Sequence, residues 1–332
     1  MNELEKGKIL VTGGAGFIGS ALIWGLNRIG LNDILVCDQL GEDEKWRNLA
    51  PLAFDDYISS AELNGYVEAG SPVLKEVQWV FHLGACSATT ELDAGYLMEN
   101  NYRYTRNLCD WALQRNARFV YASSAATYGD GANGMEDDEE HIESLRPLNA
   151  YGYSKQIFDR HAKQRSLFSK IVGLKYFNVY GPNEWHKGDM RSLVNKAYDQ
   201  VLETGRIQLF KSYKPMFKDG EQQRDFLYVK DAVDMTIHLA VTRTANGLFN
   251  VGSGTARTWV DLANAVFAAL SRPAQIEFIE MPQVIREKYQ YFTHANIEKI
   301  KATGYQGPRF TLEQAVTDYV QNYLVPRRHL EL

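Results

Sequence analysis

The sequence predicts an α/β protein with a Rossmann-type, doubly wound parallel sheet and a smaller α/β substrate-binding domain. Short apolar runs alternate with helical patterns through the first half of the 332-residue chain, an order typical of βαβ units. A glycine-rich turn joins the first apolar run to the first helical pattern. After Phe177 the alternation breaks into segments rich in Gly, Pro and polar residues, which indicates a second lobe.

The strands of the first half are predicted from apolar runs that lack alternating polar residues, as in strands buried on both faces. They are Ile9–Thr12, Ile34–Asp38, Trp79–Leu83, Phe119–Ala122 and Ile171–Tyr176. The helical patterns between them are Phe17–Ile29, Asn100–Arg115 and Ser154–Arg165. The acidic stretch Glu136–Glu140 is interpreted as a solvated loop.

The second half is predicted to hold helices near Arg191–Glu203, Val229–Val241 and Val260–Leu270. We expect its chain to return to the large sheet at least once. Residues 1–176, with returning segments at about 226–251 and 291–304, are therefore assigned to the nucleotide-binding Rossmann domain. The substrate-binding domain takes about 177–225, 252–290 and 305–332.

Composition argues against several classes of protein. The net charge of −5 disfavours a nucleic-acid partner or an anionic membrane surface. No run approaches the ~18 apolar residues of a membrane span, and the first residues lack the apolar stretch of a signal peptide. Cys37, Cys86 and Cys109 fit neither a disulfide framework nor a metal-binding knuckle. We expect a cytoplasmic protein without a bound metal.

The glycine-rich turn carries the spacing Gly-x-x-Gly-x-x-Gly, at Gly13, Gly16 and Gly19. The first glycine permits a tight turn, the second lets the backbone approach a pyrophosphate, and the third lets helix and strand pack closely. A dinucleotide is therefore expected on the N-terminus of the following helix, where free N–H groups and the helix dipole favour an anion.

Asp38 closes the second strand, about 20 residues beyond the glycines, where a carboxylate holds ribose hydroxyls. Alone it favours NAD, because it would repel a 2′-phosphate. Lys45 and Arg47 follow closely and could supply compensating charge. The residues themselves leave the choice between NAD and NADP open.

Tyr151 and Lys155 form a Tyr-x-x-x-Lys pair that lies on one face of a helix. A neighbouring ammonium favours the phenolate, so we expect the pKa of Tyr151 to fall toward neutrality. The phenol is then a candidate base for a hydroxyl whose carbon gives up a hydride. The segment Tyr121–Gly129 ends a strand with serines, and a serine there can hydrogen-bond the same hydroxyl.

These motifs, in this order, resemble the extended short-chain dehydrogenase/reductases, the NAD-dependent epimerase/dehydratase family, over essentially the whole chain. The finer likeness is to the family's heptose 6-epimerase branch. It is carried by Gly84–Ser87, Asn100–Tyr102, Ser123–Gly129, Tyr151–Lys155, Tyr176–Pro182, His186–Gly188 and Tyr289–Thr293, whereas Arg224–Asp231 resembles the wider family's segment near the nucleotide-sugar diphosphate.

This resemblance implies inversion of carbon 6 of an ADP-linked heptose, a precursor of the lipopolysaccharide inner core. The carbon is oxidised to a ketone with tightly held NADP, NAD being possible, and reduced again on its other face. The resemblance also implies a homo-oligomer, a pentamer. It makes Tyr151 and Lys187 the two acid/base groups, with Lys155 tuning the tyrosine and Ser124 holding the reacting oxygen.

The resemblance carries further residues onto this sequence. Those implied to bind the cofactor are Gly13, Gly16, Phe17, Ile18, Gly19, Asp38, Gln39, Lys45, Leu83, Gly84, Ala85, Cys86, Ser87, Asn100, Tyr151, Lys155 and Val179. Those implied to bind the nucleotide sugar are Ser124, Asn178, Lys187, Asp189, Lys196, Phe210, Lys211, Ser212, Tyr213, Arg224 and Tyr289.

Departures from the family pattern concern the substrate more than the chemistry. Ser60 stands where a second lysine is expected near the adenosine phosphate, Asp189 replaces a serine, and Lys196 replaces a histidine. The stretch from Phe210 to Arg224 is longer than usual.

Three alternatives remain at this point. A UDP-hexose 4-epimerase would need Tyr151 alone and a substrate that rotates in the site. A sugar 4,6-dehydratase would need an Asp-Glu pair where Ala125 and Ala126 stand. A non-catalytic NADP-binding sensor or scaffold would have no need of a tuned phenol.

Overall fold

The computed structural model describes residue 4, residues 6–286 and residues 289–332. Its strands are β1 (Lys8–Thr12), β2 (Ile34–Asp38), β3 (Asp56–Ser59), β4 (Val77–His82), β5 (Arg118–Ser124), β6 (Val172–Tyr176), β7 (Asn178–Tyr180), β8 (Ile207–Phe210), β9 (Gln223–Tyr228), β10 (Gly247–Val251), β11 (Ala256–Thr258) and β12 (Ile276–Ile279). Its helices are α1 (Phe17–Arg28), α2 (Ser60–Ala69), α3 (Ala94–Leu97), α4 (Tyr104–Gln114), α5 (Ala150–Gln164), α6 (Leu193–Thr204), α7 (Val229–Val241), α8 (Trp259–Ala269), α9 (Gln283–Arg286), α10 (Glu298–Lys301) and α11 (Leu312–Tyr319).

A parallel sheet of seven strands, ordered β10-β6-β5-β4-β1-β2-β3, forms the larger lobe. Alternate residues of β1 enter two separate apolar clusters. Ile9 packs with residues of α1 and α7, whereas Leu10 packs with residues of α4 and α5. Helices therefore cover both faces, and the predicted fold class is confirmed.

The winding of this sheet reverses at β1, which lies between β2 and β4. Ile9 pairs with Ile34 on one side and with Trp79 on the other. Loops at the carboxyl ends of β1 and β4 leave in opposite directions, so a crevice opens between them. This switch point places the glycine turn directly opposite the segment that follows β4.

The smaller lobe contains a three-stranded sheet, β11-β9-β7, and a parallel pair, β12-β8. The chain leaves the large sheet after β6. Only Phe177 separates β6 from β7, which belongs to the smaller lobe and pairs there with β9. β10 returns to the large sheet beside β6, where Phe249 pairs with Leu174. The expected return of the chain is thus made by β10, while the division into two domains stays a prediction.

Helix α5 begins earlier than the predicted Ser154. The Asn149 side chain accepts from the N–H of Gly152 at 2.8 Å and caps the helix one residue before Ala150. Tyr151 therefore lies in the first turn, one turn before Lys155. The predicted helix Asn100–Arg115 differs from the structure at its start. Its first residues belong to a π-helical turn, Met98–Arg103, and the α-helix α4 begins only at Tyr104.

The acidic stretch Glu136–Glu140 was interpreted as a solvated loop, and this is wrong for part of it. Asp137 is buried, and its carboxylate accepts from the N–H of Asn250 at 2.8 Å. Glu139 accepts from the N–H of Leu248, also at 2.8 Å. These two donors belong to β10 at the sheet edge, so the carboxylates satisfy N–H groups that lack a neighbouring strand.

None of the helices in the described part of the chain is long and apolar enough to cross a membrane.

Candidate active site

The glycine turn between β1 and α1 brings two backbone segments into direct contact. Gly13 has φ of 67°, and a Cβ on it would lie 2.7 Å from the backbone nitrogen of Gly84. A Cβ on Gly19 would lie 2.0 Å from the carbonyl oxygen of Gly13. The turn therefore requires glycine at both positions.

The N-terminus of α1 is open to a ligand. Its N-cap is Gly16, which supplies no side-chain hydrogen bond, and its first turn contains no acidic residue. The first N–H groups of the helix are thus available to a phosphate, and the dipole favours negative charge there. The glycine cradle and this helix end fit the pyrophosphate of a dinucleotide.

A cleft of about 450 Å³ opens over this turn. The residues predicted to bind a cofactor that line it are Gly13, Gly16, Phe17, Ile18, Gly19, Asp38, Gln39, Lys45, Leu83, Gly84, Ala85, Cys86, Ser87 and Asn100. Tyr151, Lys155 and Val179 line an adjoining cleft instead. Tyr96, Tyr104, His186 and Met190 also line the first cleft, although none of them was predicted to bind the cofactor.

The carboxylate of Asp38 is held inside the protein. One oxygen accepts from the N–H of Ala15 at 2.9 Å, and the other accepts from the N–H of Gln39 at 2.7 Å. Lys45 forms an ion pair with it at 3.0 Å. The negative charge next to the cleft is therefore partly neutralised, which reduces repulsion of a second anionic group.

The adjoining reaction cleft, of about 380 Å³, contains Ser124, Tyr151 and Lys155. Ser124 ends β5, and Tyr151 and Lys155 project from α5. The ammonium of Lys155 donates to the carbonyl of Ala122 at 2.9 Å. Burial lowers the pKa of Lys155 to about 8, an effect that Asp159 opposes.

The expected fall in the pKa of Tyr151 is not found. Burial raises the pKa of its phenol, and the Ser124 hydroxyl offsets part of this rise. The groups acting on the phenol are its enclosed surroundings, Ser124 and Cys86, rather than Lys155. A desolvated phenol holds its proton, so the free site presents Tyr151 as a proton donor.

A buried hydrogen-bond network connects the two clefts from behind. Asn101 exchanges hydrogen bonds with the backbone of Cys86 at 2.9 and 3.0 Å and donates to the hydroxyl of Ser154 at 2.9 Å. Ser154 donates in turn to the carbonyl of Tyr151 at 2.7 Å. The loop after β4 and the first turn of α5 are therefore fixed relative to each other.

His82, at the end of β4, is a neutral part of the same wall. Thr105 donates to the carbonyl of Asn101, so its oxygen accepts from His82 Nε2 at 2.8 Å. His82 Nδ1 then accepts from the hydroxyl of Thr12 at 2.7 Å. Burial lowers the pKa of His82 to about 3, so its role is to position neighbours rather than to carry charge.

Lys187 lines the cofactor cleft, the reaction cleft and a third cleft. It belongs to the 3₁₀ turn Trp185–Met190, in which Gly188 has φ of 52°. Its ammonium lies 5.2 Å from the ring centre of Phe17, in the first turn of α1. Burial lowers the pKa of Lys187, while the buried Glu184 acts in the opposite direction. The Lys187 amine therefore loses its proton at a lower pH than the amine of an exposed lysine.

The third cleft, of about 520 Å³, lies on the smaller lobe. Of the residues predicted to bind a nucleotide sugar, it is lined by Asn178, Lys187, Lys196, Phe210 and Tyr289. Ser124 lines the reaction cleft, as do Asn178 and Lys187. Asp189, Lys211, Ser212, Tyr213 and Arg224 line none of the three.

Arg224 was predicted to bind the nucleotide sugar, but its guanidinium is used for contacts inside the protein. It is buried, it donates to the carbonyls of Gln223 and Gln290, and it lies between the rings of Trp259 and Tyr289. It therefore supports the wall of the third cleft from behind. In the longer stretch after Phe210, Lys211 and Tyr213 both contact Glu280 on the surface.

Several lining residues were not identified from the sequence. In the third cleft these include Arg191, Gln200, Gln208 and Trp259, for which the sequence holds no local signal. Gln290 and Thr293 line the reaction cleft. Both lie in the segment Tyr289–Thr293, whose likeness to the family was a usable signal.

Known proteins resemble the chain over nearly its full length. An ADP-L-glycero-D-manno-heptose-6-epimerase of Nitratidesulfovibrio vulgaris (strain DP4) is 52% identical over 316 residues, which cover 95% of this chain and 97% of the relative. A protein of the same name from Fusobacterium nucleatum is 47% identical over 329 residues, covering 95% and 98%. The crystal structure of the Helicobacter pylori protein of that name superposes with a TM-score of 0.77, at 27% identity and 97% coverage of each chain.

A sequence profile described as the NAD dependent epimerase/dehydratase family matches residues 9–252. That segment spans the glycine turn, β5, the Tyr-x-x-x-Lys pair and Lys187. Since it is more than half of the chain, and since close relatives cover almost all of it, this chain belongs to the NAD-dependent epimerase/dehydratase family.

Proposed function

We propose that this protein interconverts ADP-D-glycero-D-manno-heptose and ADP-L-glycero-D-manno-heptose by inverting carbon 6, in the synthesis of a lipopolysaccharide inner-core precursor. One observation carries the proposal. The phenol of Tyr151 and the amine of Lys187 line the same reaction cleft, although they come from different segments of the chain. A site with two proton-exchanging groups suits a reaction that occurs on both faces of one carbon.

The bound nicotinamide would accept a hydride from carbon 6 and return it. Side chains of the protein accept and donate the protons that accompany this hydride transfer. When a hydride leaves the carbon, the hydroxyl proton must pass to a base, and the carbon becomes a ketone. When the hydride returns to the other face, the new alkoxide must receive a proton. Tyr151 serves one configuration, with Ser124 holding the oxygen, and Lys187 serves the other.

The requirement for two groups follows from where the carbon lies. Carbon 6 is outside the sugar ring, and the ADP end would stay anchored in the third cleft. Phe210, Tyr289 and Trp259 give that cleft aromatic surface, and Lys196 gives it positive charge. With the nucleotide fixed, a single phenol reaches one face only. The relatives at 52% and 47% identity carry the name of this activity, which supports the same choice of substrate.

We propose NADP as the cofactor. Lys45 forms an ion pair with Asp38 at 3.0 Å, and both residues line the cofactor cleft. Protein purified without added nucleotide is expected to release NADP on denaturation, which mass spectrometry of the supernatant detects. Release of NAD alone would make Asp38 the deciding residue and would remove the argument from Lys45.

We propose a cytoplasmic setting from the cysteine pattern and composition of the chain, and a homo-oligomer of five copies from likeness to the family. Native mass spectrometry of the purified protein tests the assembly. A monomer at micromolar concentration would contradict it without affecting the proposed reaction.

The deciding experiment incubates the purified protein with ADP-D-glycero-D-manno-heptose and, separately, with UDP-glucose, and follows both by proton NMR. We expect inversion at carbon 6 of the ADP sugar and no change in the UDP sugar. Inversion of the hexose at carbon 4 would instead support a UDP-hexose 4-epimerase. If neither sugar reacts while nucleotide remains bound, the scaffold alternative gains support.

A further inference from the structure

Asn48 is a buried asparagine outside the three clefts, and its side chain joins three separate segments of the chain. It is 1% exposed and ends the 3₁₀ turn Glu44–Asn48, which also contains Lys45. Its amide donates to the carbonyl of Ala15 at 3.0 Å and to the carbonyl of Asn183 at 3.1 Å. The same amide nitrogen lies 3.2 Å from Nδ1 of His186.

The first two segments are those that face each other across the cofactor cleft. Ala15 is in the glycine turn, two residues before Phe17. Asn183 and His186 belong to the loop that carries Lys187, and His186 lines the cofactor cleft as well. The distance between the ring of Phe17 and the ammonium of Lys187, 5.2 Å, is therefore set by two segments that Asn48 ties together.

The third segment is residues 329–331. Nδ1 of His329 lies 2.9 Å from the amide oxygen of Asn48, and because that oxygen only accepts, the histidine nitrogen is the donor. The N–H of Leu330 donates to the side chain of Asn183 at 2.9 Å, and the indole of Trp24 donates to the carbonyl of Glu331 at 3.1 Å. This segment thus closes over the junction from outside and excludes water from it.

We propose that Asn48 is a positioning residue that holds the Lys187 loop against the glycine turn, and that residues 329–331 complete this junction. The carbonyls of Ala15 and Asn183 both point at one amide, so they remain in register only while that amide is present. The same turn carries Lys45 at the cofactor cleft, which couples the nucleotide site to the placement of Lys187. The link to catalysis rests on the proposed function; the link to the position of Lys187 does not.

The test compares Asn48→Ala with a matched control, Asn27→Ala. Asn27 is also buried, and its amide donates to the carbonyl of Leu31, to Asn32 and to the carbonyl of Ala53 at 2.8–2.9 Å. It lines none of the three clefts. Both variants lose a buried amide that donates to two backbone carbonyls, so both should lose stability, but only Asn48 contacts the Lys187 loop.

The first readout needs no sugar substrate. Competitive acetylation followed by mass spectrometry gives the labelling rate of each lysine against pH, with Lys155 as the reference within each sample. Glu184 and His186 are the titratable neighbours of Lys187 in its own loop, and Asp38, Asp43 and Lys45 face that loop from β2 and the 3₁₀ turn. In Asn48→Ala we expect Lys187 to become more exposed, so that its pKa returns toward 10.5 while that of Lys155 stays unchanged.

The second readout is epimerisation. We expect kcat to fall by about 10–100-fold in Asn48→Ala, because a displacement of about 1 Å in an acid/base group has effects of this size. Bound nucleotide should be retained, because Gly13, Gly16 and Gly19 are unchanged and the N–H of Ala15 still donates to Asp38. Asn27→Ala should keep the parent labelling profile and the parent kcat per folded molecule.

A milder variant covers the case in which Asn48→Ala does not fold. His329→Phe keeps a ring against Trp185, whose centroid lies 4.8 Å away, but removes the donor to Asn48. It should shift Lys187 labelling in the same direction by a smaller amount. Parent-like labelling of Lys187 in every folded variant of Asn48 and His329 would overturn the proposal. A labelling shift in a protein that epimerises no ADP sugar would uphold it and refute the proposed function instead.

Discussion

Tyr151 and Lys155 are one turn apart on α5, and burial shifts the pKa of each in the direction that favours the neutral form of the side chain. The pKa of the phenol rises, and the pKa of the amine falls to about 8. The free site therefore offers a protonated phenol beside an amine that loses its charge just above neutral pH.

The first prediction concerns the phenol oxygen of Tyr151. Tyr151→Phe keeps the ring and so should keep the fold and the bound nucleotide. Loss of an acid/base group typically lowers the rate by ~10²–10⁴-fold, and we expect a loss of kcat in that range. Initial rates by NMR measure it; turnover close to that of the parent would remove Tyr151 from the chemistry.

The second prediction concerns pH. Lys155 is charged below its pKa of about 8 and neutral above it, and likeness to the family gives this charge the role of stabilising the phenolate of Tyr151 during turnover. The ratio kcat/KM should therefore fall as pH rises through about 8. In Lys155→Arg the cation persists above pH 10, so this alkaline limb should disappear even if the rate is lower. An unchanged limb would assign it to a different group, and Lys187 would be the next candidate.

The third prediction separates two proton-exchanging groups from one. Lys187→Met keeps an unbranched side chain as far as Cε and removes the amine. Epimerisation should fall by ~10²-fold or more, while a reactive aldehyde analogue should still be reduced from the face that Tyr151 serves. Epimerisation of the ADP heptose at the parent rate would favour one group and a rotating substrate.

At the scale of elements, β5, β6 and α5 are joined behind the reaction cleft by a buried ion pair. Lys175 lies 3.1 Å from Asp159, and both side chains are at most 1% exposed. Asp159 also accepts from Tyr121 at 2.8 Å and from Ser123 at 2.7 Å. This cluster fixes the end of β5, from which Ser124 projects, against the helix that carries Tyr151 and Lys155.

The fourth prediction is a stability change from breaking this pair. Lys175→Met leaves the Asp159 carboxylate buried without its cation, and such a change typically costs about 3–5 kcal/mol. Urea unfolding measures the free energy. Lys163→Met is the control, because its partners Glu140 and Glu143 face solvent and its loss should be far smaller. Equal losses in both variants would show that the buried cluster adds nothing beyond a surface pair.

At the scale of the whole molecule, both lobes contribute to a single continuous set of clefts. The cofactor cleft lies over the large sheet, the third cleft lies on the smaller lobe, and Lys187 lines both. A nucleotide bound in the first cleft should stabilise the folded chain as a whole, because it binds the native state and not the unfolded one.

The fifth prediction applies this to the choice of cofactor. At 100 times its Kd, a nucleotide should add about 2.7 kcal/mol to the free energy of unfolding. For nucleotide-free protein we expect NADP to give the larger gain at equal concentration, and Lys45→Met to reduce the gain from NADP more than that from NAD. Lys75→Met, at an exposed lysine outside the clefts, serves as control. A larger gain from NAD in the parent would contradict the proposed cofactor.

The sequence by itself determined the glycine turn, the pairing of Tyr151 with Lys155 and the strands β1, β2, β4, β5 and β6, but it predicted neither β3 nor α2. These features depend on side-chain periodicity and on contacts between residues a few positions apart, and both can be read from the local sequence. Lys187 was found only by likeness to the family, because a lysine in a glycine-containing loop has no local signature.

Tertiary structure alone decided the rest. The side chain of Asn48 joins residues 15, 183 and 329. The acidic stretch Glu136–Glu140 binds β10, more than 100 residues later. Arg224 donates to backbone carbonyls and does not line a cleft. The pKa of Tyr151 rises because burial of the phenol outweighs the hydrogen bond with Ser124. Each outcome depends on which distant groups pack together and how completely they exclude water, and no local pattern encodes either.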